Sequence, residues 1–215
     1  MATTSIYDIK LEFENWLRNQ KVISIGTRGV TTSTDTGTFS SAGSHTLAVN
    51  PTLLKNVRSV VVAGITLAYG DEYTVNFETG VITFSPVVSG AYTIIYDQGS
   101  TDKIYQDFPQ PYLKLNDFPR VGFDIISGNT SELGIGATTT QSEYIISIVC
   151  YDKSQSNVEE MIATLRSSLI ADKKNFYYIP FITLGSTGPM LITPFGQNKI
   201  VQRNQDVIVK FVFES

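Results

Sequence analysis

The stretch VRSVVVAGITLAYGDEYTVNFETGVITFSPVVSGAYTIIYD, residues 57–97, decides how the chain is organised. Apolar and polar residues alternate in 73–77 and again in 81–85, and the turn ETG (78–80) lies between these two runs. Alternation of period two on both sides of a glycine-containing turn predicts a β-hairpin. A second turn is expected at 86–90, which begins with proline and ends with glycine. The stretch as a whole predicts a small all-β module, sandwich-like or barrel-like.

Segments rich in Ser, Thr and Gly border this block on both sides. Residues 26–46 and 97–101 have the composition of loops and predict two linkers. We therefore expect an inserted all-β module at 33–100. The rest of the chain, 1–32 and 101–215, is expected to form one discontinuous α+β domain.

The discontinuous domain is predicted from helical and strand periodicities. The apolar residues of 5–19 recur at helical spacing, which predicts an amphipathic helix with Trp16 in the core. The tetrapeptide 156–159 reads as a capping box that starts a second helix. The fold class predicted is α+β, with a small mixed β-sheet and helices on one face. The expected elements, in chain order, are helix 5–19, strand 121–127, polar loop 128–142, strand 143–152, helix 156–171 and strands 176–184, 190–193 and 205–214.

Charge and hydropathy exclude several classes of partner. The net charge is −4, and no run of Lys or Arg occurs, so we expect no sequence-specific nucleic-acid binding. No stretch approaches about 18 consecutive apolar residues, which predicts no membrane-spanning helix. The N-terminus lacks the pattern of a signal peptide, so synthesis in the cytoplasm is expected. Charged residues make up only 17% of the chain, and this low fraction suits surfaces that are buried in an assembly.

The residues that usually carry chemistry are isolated from one another. His45 is the only histidine and lies in the predicted linker, so a metal site is not expected. Cys150 lies in an apolar strand and is expected to be buried and inert. Asp71 and Glu72 are adjacent, which on a strand places them on opposite faces. The tripeptide 134–136 does not match a nucleotide-binding fingerprint. We therefore predict no catalytic, cofactor-binding or metal-binding residues, no cofactor and no enzymatic activity.

Five aromatic residues of the module leave one alternative open. They would line a sugar-binding face, or they would form cross-strand pairs in a small core, and the second interpretation is favoured. These residues are Tyr69, Tyr73, Phe77, Tyr92 and Tyr96.

The order of elements outside the module resembles the tail terminator, or tail completion, proteins of long-tailed bacteriophages. The resemblance rests on YDIKLEFENWL (7–17), DFPRVGFDIIS (117–127), YDKS (151–154), SNVEEMIATLRSSLI (156–170) and QDVIVKFVFES (205–215). It covers about 1–30 and 102–215, and the inserted module departs from the family pattern.

The resemblance implies a structural role. Members of this family form a hexameric ring on the last ring of the tail tube, stop its growth and present a surface to the head–tail connector protein. It implies a virion protein at the head-proximal end of the tail, made in the host cytoplasm, whose partners are copies of itself, the tail tube protein and the connector. The loop 128–142 is expected to be an assembly contact. A baseplate or decoration component of a virion, with a surface- or carbohydrate-binding β module, remains the alternative, and a cytosolic enzyme is the third hypothesis.

Overall fold

A computed structural model describes residues 6–20, 22–23, 28–50, 53–99, 103–106, 118–132, 139–195 and 198–214. The chain divides into two compact units. We call residues 24–102 the inserted unit, and residues 1–23 together with 103–215 the terminal unit. The inserted unit begins earlier than the predicted position 33, because its first strand already starts at Thr31. The two units are described separately.

The inserted unit is one five-stranded antiparallel sheet. Its order is β1-β5-β2-β3, and β4 pairs with β5. The predicted hairpin is confirmed, since β4 pairs with the start of β5 and Gly80 in the turn has a φ of 70°. One core cluster lies inside this unit, with Val60, Ile82 and Ile94 fully buried. The strands are β1 (Thr31–Thr46), β2 (Leu54–Val62), β3 (Ile65–Thr66), β4 (Tyr73–Asn76) and β5 (Val81–Gln98).

Two predictions for the inserted unit are wrong. The segment 26–46 is not a linker, because residues 31–46 form β1. Its threonines suit a strand at the sheet edge, where only Phe39 is buried and most other side chains face solvent. The turn predicted at 86–90 does not separate two strands, because β5, which has 18 residues in all, runs through these positions. Two register shifts between β1 and β5 occur in this part of the pairing, and extra residues of β5 itself form the larger one.

The terminal unit is a six-stranded sheet with two helices. The order of its strands is β10-β11-β8-β7-β6, and β9 pairs with β11. All pairs are antiparallel except the short pair between β6 and β7. The elements are α1 (Ile6–Asn19), β6 (Ile104–Tyr105), β7 (Arg120–Glu132), β8 (Thr139–Asp152), α2 (Gln155–Asp172), β9 (Phe181–Thr187), β10 (Leu191–Phe195) and β11 (Asn198–Glu214).

Both helices share one core with alternate residues of the sheet. The aromatic rings of Phe13, Trp16 and Phe176 pack together, with ring centroids 5.3–6.1 Å apart. Trp16 is therefore a core residue, as predicted. The other buried members include Ile9 and Leu17 of α1, Leu165 and Leu169 of α2, Phe123 of β7, Ile146, Ile148 and Cys150 of β8, and Val207 and Val209 of β11.

The predicted α+β fold class is wrong, because the protein is mostly β. Strands account for 59% of the described residues and only two helices are present among them. The difference comes largely from polar segments that form strands. The predicted loop 128–142 contains the end of β7 and the beginning of β8, which pair with each other as far as Glu132 and Thr140. Hydrogen bonding to neighbouring strands holds such polar segments extended although their sequence lacks an apolar pattern.

The start of α2 and the segment that follows this helix also differ from the prediction. The helix begins at Gln155 with Ser154 at the N-cap, and no side chain caps it. The capping box is therefore wrong, and Glu159 instead pairs with Arg203 at 2.5 Å. Residues 176–180 precede β9 rather than forming part of it. No helix in the described part of the chain is long and apolar enough to cross a membrane.

Candidate assembly surface

The residues singled out for chemistry each have separate structural surroundings, His45 and Glu72 in the inserted unit and Cys150 in the terminal unit. His45 belongs to β1, and its Nε2 atom lies 2.7 Å from Oδ2 of Asp35. Cys150 is fully buried, and burial raises the pKa of its thiol to about 12. Glu72 lies in the turn before β4 and accepts a hydrogen bond from the backbone N–H of Ala68. The tripeptide 134–136 lies outside the described residues. Within the described ranges, no group of three or more His, Cys, Asp or Glu residues is arranged to hold a metal ion.

The five aromatic residues of the inserted unit do not form an open binding face. Tyr73 and Tyr96 are buried in the core, each with 5% exposure. Tyr69, Phe77 and Tyr92 are partly buried and pack against the same core. This arrangement agrees with the favoured interpretation, in which these rings stabilise the sheet.

The terminal unit exposes many large hydrophobic side chains. Among the described residues, eight such side chains belong to the terminal unit and two to the inserted unit. Exposed apolar groups of this kind mark surfaces that are covered in an assembly when they lie close together. The eight are Ile6, Tyr7, Ile126, Ile170, Tyr177, Phe181, Leu191 and Ile192, and the two are Ile65 and Val87.

Two shallow grooves accompany these side chains. A groove of about 250 Å³ lies over β8 and β11, and its lining includes Val149 and Tyr151 of β8 together with Ile126 and Leu191. Residues 149 and 151 alternate along β8 with Ile148 and Cys150 of the core, so this groove lies on the sheet face opposite the helices. A second groove of about 160 Å³ separates the end of α2 from β9.

The two long edges of the terminal sheet are unusual in composition. Residues 125–131 of β7 read IISGNTS, and β9 (181–187) reads FITLGST. Neither segment contains a charged residue or proline, although 17% of the chain is charged. In the described part of the chain, no strand pairs with the outer edge of either segment. Soluble proteins usually protect free edges with charges, proline or very short strands. These edges therefore have the composition of edges that are covered.

Carboxylates hold α1 against the connection between α2 and β9. Glu12 accepts hydrogen bonds from the backbone N–H groups of Tyr177 and, at 2.9 Å, Tyr178. Burial raises the pKa of the Glu12 carboxyl to about 7, and the two N–H donors counteract this rise only in part. From the other side, Asp172 accepts a hydrogen bond of 3.1 Å from the indole N–H of Trp16. Hydrogen bonds therefore hold the connection that carries the exposed Tyr177, and the exposed Phe181 begins the strand that follows it.

A buried charge cluster closes the inserted unit near its two ends. The carboxylate of Asp97 is fully buried and accepts hydrogen bonds of 2.8 Å from Thr32 Oγ1 and Arg58 Nε. Nη1 of the buried Arg28 lies 3.7 Å from Asp97 Oδ2. The cluster joins the beginning of the unit, β2 and the end of β5. Its position and burial indicate a role in folding rather than in ligand binding.

Sequence reasoning singled out one of the two edge segments, and its role as an assembly contact stays a prediction. The segment 128–142 was predicted to be an assembly contact, but as a loop, and the edge role of β9 was missed. The signal that was available is the lack of charge in FITLGST between Pro180 and Pro189. Strand order, which makes this segment an edge, is set by pairing across long sequence distances and cannot be seen in a local pattern.

Comparisons with known proteins leave the family open. No protein-family model matches the chain, and no curated protein matches it at a significant level.

Proposed function

We propose that this chain is a structural subunit of a phage tail that forms a hexameric ring, caps the tail tube, ends its growth and meets the head–tail connector. The observation that carries this proposal is the pair of uncharged edge segments in the terminal sheet, 125–131 of β7 and β9, which no strand among the described residues covers. A subunit with two different open edges associates head to tail, and such contacts close into a ring when the rotation permits.

The resemblance to tail terminators adds to this support. The segments that carry it lie in α1, β7, β8, α2 and β11, which belong to one unit and pack around one core. The exposed apolar side chains of the same unit favour burial against a neighbour. The inserted unit has its own sheet and core and is proposed to be dispensable for the ring.

Tube growth in the presence of the purified chain tests this function. Tail tube protein is polymerised with and without the chain, and tube lengths and tube ends are recorded by electron microscopy. We expect shorter tubes with one added ring at one end. An unrelated protein of similar size and charge is the control. Unchanged tube lengths with no added ring would contradict the proposal.

A variant that lacks residues 24–102, joined by a short Gly/Ser bridge, locates the activity within the chain. We expect this variant to cap tubes like the full chain. Loss of capping by a folded variant would show that the inserted unit takes part in the ring.

A further inference from the structure

Two edge segments of the terminal sheet that no described strand covers, 125–131 of β7 and β9, run in directions that allow one to pair with the other. β9 has seven residues, and the uncharged segment 125–131 of β7 lies beyond the short pairing of β7 with β6. We propose that β9 of one copy pairs antiparallel with residues 125–131 of β7 in the next copy, so that the sheet continues from copy to copy. This inference rests on the proposed ring and specifies the contact that forms it.

Strand direction supports this pairing. β7, β8, β11 and β9 are neighbours in the sheet, and each pair is antiparallel. With four alternating strands, β9 runs opposite to β7 of its own copy. The proposed ring has its axis along the strands. Rotation about that axis preserves strand direction, so β9 also runs opposite to β7 of the neighbouring copy. The junction therefore has the same antiparallel geometry as the interior of the sheet.

The backbone of the two edges provides the binding energy and the side chains permit close approach. Strand addition satisfies the N–H and C=O groups of both edges at once. A single bulge interrupts the β7 edge, and the side chain of Ile126 there is 55% exposed. Phe181 at the start of β9 is 62% exposed. Both side chains would lose contact with water when the neighbouring copy docks.

Alignment of the two segments by their centres places Thr183 opposite Asn129. Both side chains are exposed in the single copy. A cysteine at each position would therefore lie close enough for a disulfide across the junction, whereas Cys150 is buried and serves as an internal control. The partner segment is Ile125–Ser131, and pairs shifted by two residues, at Ser127 or Ser131, cover the neighbouring registers.

Disulfide cross-linking tests the contact, in solution and on tail tubes. The double variant Thr183→Cys, Asn129→Cys is expected to give a ladder of linked species up to the full ring on a denaturing gel. A mixture of the two single variants should give dimers only, because each copy then carries one engineered cysteine and can be linked to only one neighbour. Each single variant alone should remain unlinked, as should the natural chain.

Two results would overturn the pairing, and they separate it from the proposed function. Rings seen by native mass spectrometry without cross-links at any of the three registers would leave the ring standing and refute this contact. Dimers formed by one single variant alone would show a two-fold contact instead. Monomers under all conditions, tubes included, would refute both the contact and the ring.

A charge placed on the edge provides a second test. Thr183→Lys should weaken the ring, because a charge on an edge strand is the substitution by which soluble proteins discourage pairing with another strand. Ser167→Lys, on the exposed side of α2, is the matched control and should leave the ring unchanged. Both variants should keep the thermal midpoint within about 2 °C of the natural chain. Rings of equal stability in Thr183→Lys and Ser167→Lys, measured by dilution in native mass spectrometry, would contradict the inference.

Discussion

The two units of this chain differ in the edges of their sheets and in the hydrophobic side chains that they expose. In the inserted unit, the edge strands β3 and β4 have only two and four residues, and the long edge β1 is rich in Thr and Ser. The terminal unit has an uncharged segment, 125–131, in β7 and an uncharged strand β9, and it exposes eight large hydrophobic side chains among its described residues. The difference between the units therefore lies in the exposed hydrophobic side chains, and we propose that the terminal unit, rather than the inserted unit, is buried against neighbours.

Buried carboxylates extend the comparison. Asp97 of the inserted unit lies beside two guanidinium groups, those of Arg28 and Arg58. Glu12 of the terminal unit accepts hydrogen bonds from two backbone N–H groups, and its pKa is raised. Removal of one partner from a buried charge pair is strongly destabilising, whereas a carboxyl with a raised pKa makes stability depend on pH.

The largest effect is expected at Asp97. Asp97→Asn removes the negative charge between two guanidinium groups and should lower the stability of the inserted unit by about 3–5 kcal/mol. Thermal unfolding combined with limited proteolysis measures this loss unit by unit. The control is Asp35→Asn, at a pair with a partly exposed aspartate, which should cost at most about 1 kcal/mol. Equal losses of stability in the two variants would contradict the expectation that the buried charge cluster contributes more than the partly exposed pair.

The pH dependence of the terminal unit should come largely from Glu12. Its pKa is about 7 in the folded chain and 4.5 when unperturbed, so between these values the folded state holds a proton that the unfolded state releases. Stability from this group is complete below pH 4.5 and declines as the pH rises through 7, by at most about 3 kcal/mol. Glu12→Gln should flatten the unfolding free energy between pH 5 and 8. A slope that persists in this variant would contradict the assignment.

Two glycine–tyrosine pairs offer a matched test across the units. Gly128 lies opposite Tyr144 and Gly37 opposite Tyr92, and a Cβ added at either glycine would come within 2.4 or 2.8 Å of the tyrosine ring. Gly128→Ala and Gly37→Ala should each cost about 1–3 kcal/mol by displacing that ring.

The control for both glycine variants is Gly43→Ala, where the nearest atom to an added Cβ is 3.9 Å away. This change should alter the free energy of unfolding by less than about 1 kcal/mol. Chemical denaturation of the three variants measures the difference. A cost at Gly43 equal to the other two would show that backbone freedom, rather than the ring, sets the effect.

The smallest effect is expected at an exposed ion pair of the terminal sheet. Lys210 and Glu143 lie 2.6 Å apart on β11 and β8, and both side chains are more than 40% exposed. Glu143→Gln should cost less than about 1 kcal/mol, and the difference should vanish in high salt because the pair is screened. Unfolding curves at low and high salt measure it. A loss as large as that of Asp97→Asn would contradict the contrast between exposed and buried charge.

Sequence patterns predicted the elements that have a strong local signal. Helix 6–19, the hairpin of β4 and β5, the core of β8 and most of α2 carry clear periodicity. The strand β1 and the ends of β7 and β8 do not, because Thr, Ser and Gly suit loops as well as the solvent-exposed edge of a sheet. The mostly-β class was missed for this reason. The candidate surface depends on strand order, which results from pairings between distant residues such as Val209 and Tyr144.

The position and copy number of this protein in intact phage particles test the central claim most directly. Electron cryo-microscopy of whole particles, with the chain identified by its two units, provides both. The account predicts six copies in one ring at the head-proximal end of the tail, with β9 of each terminal unit against β7 of the next. The protein at the distal tip, on the capsid shell, or in copies that do not touch would contradict it.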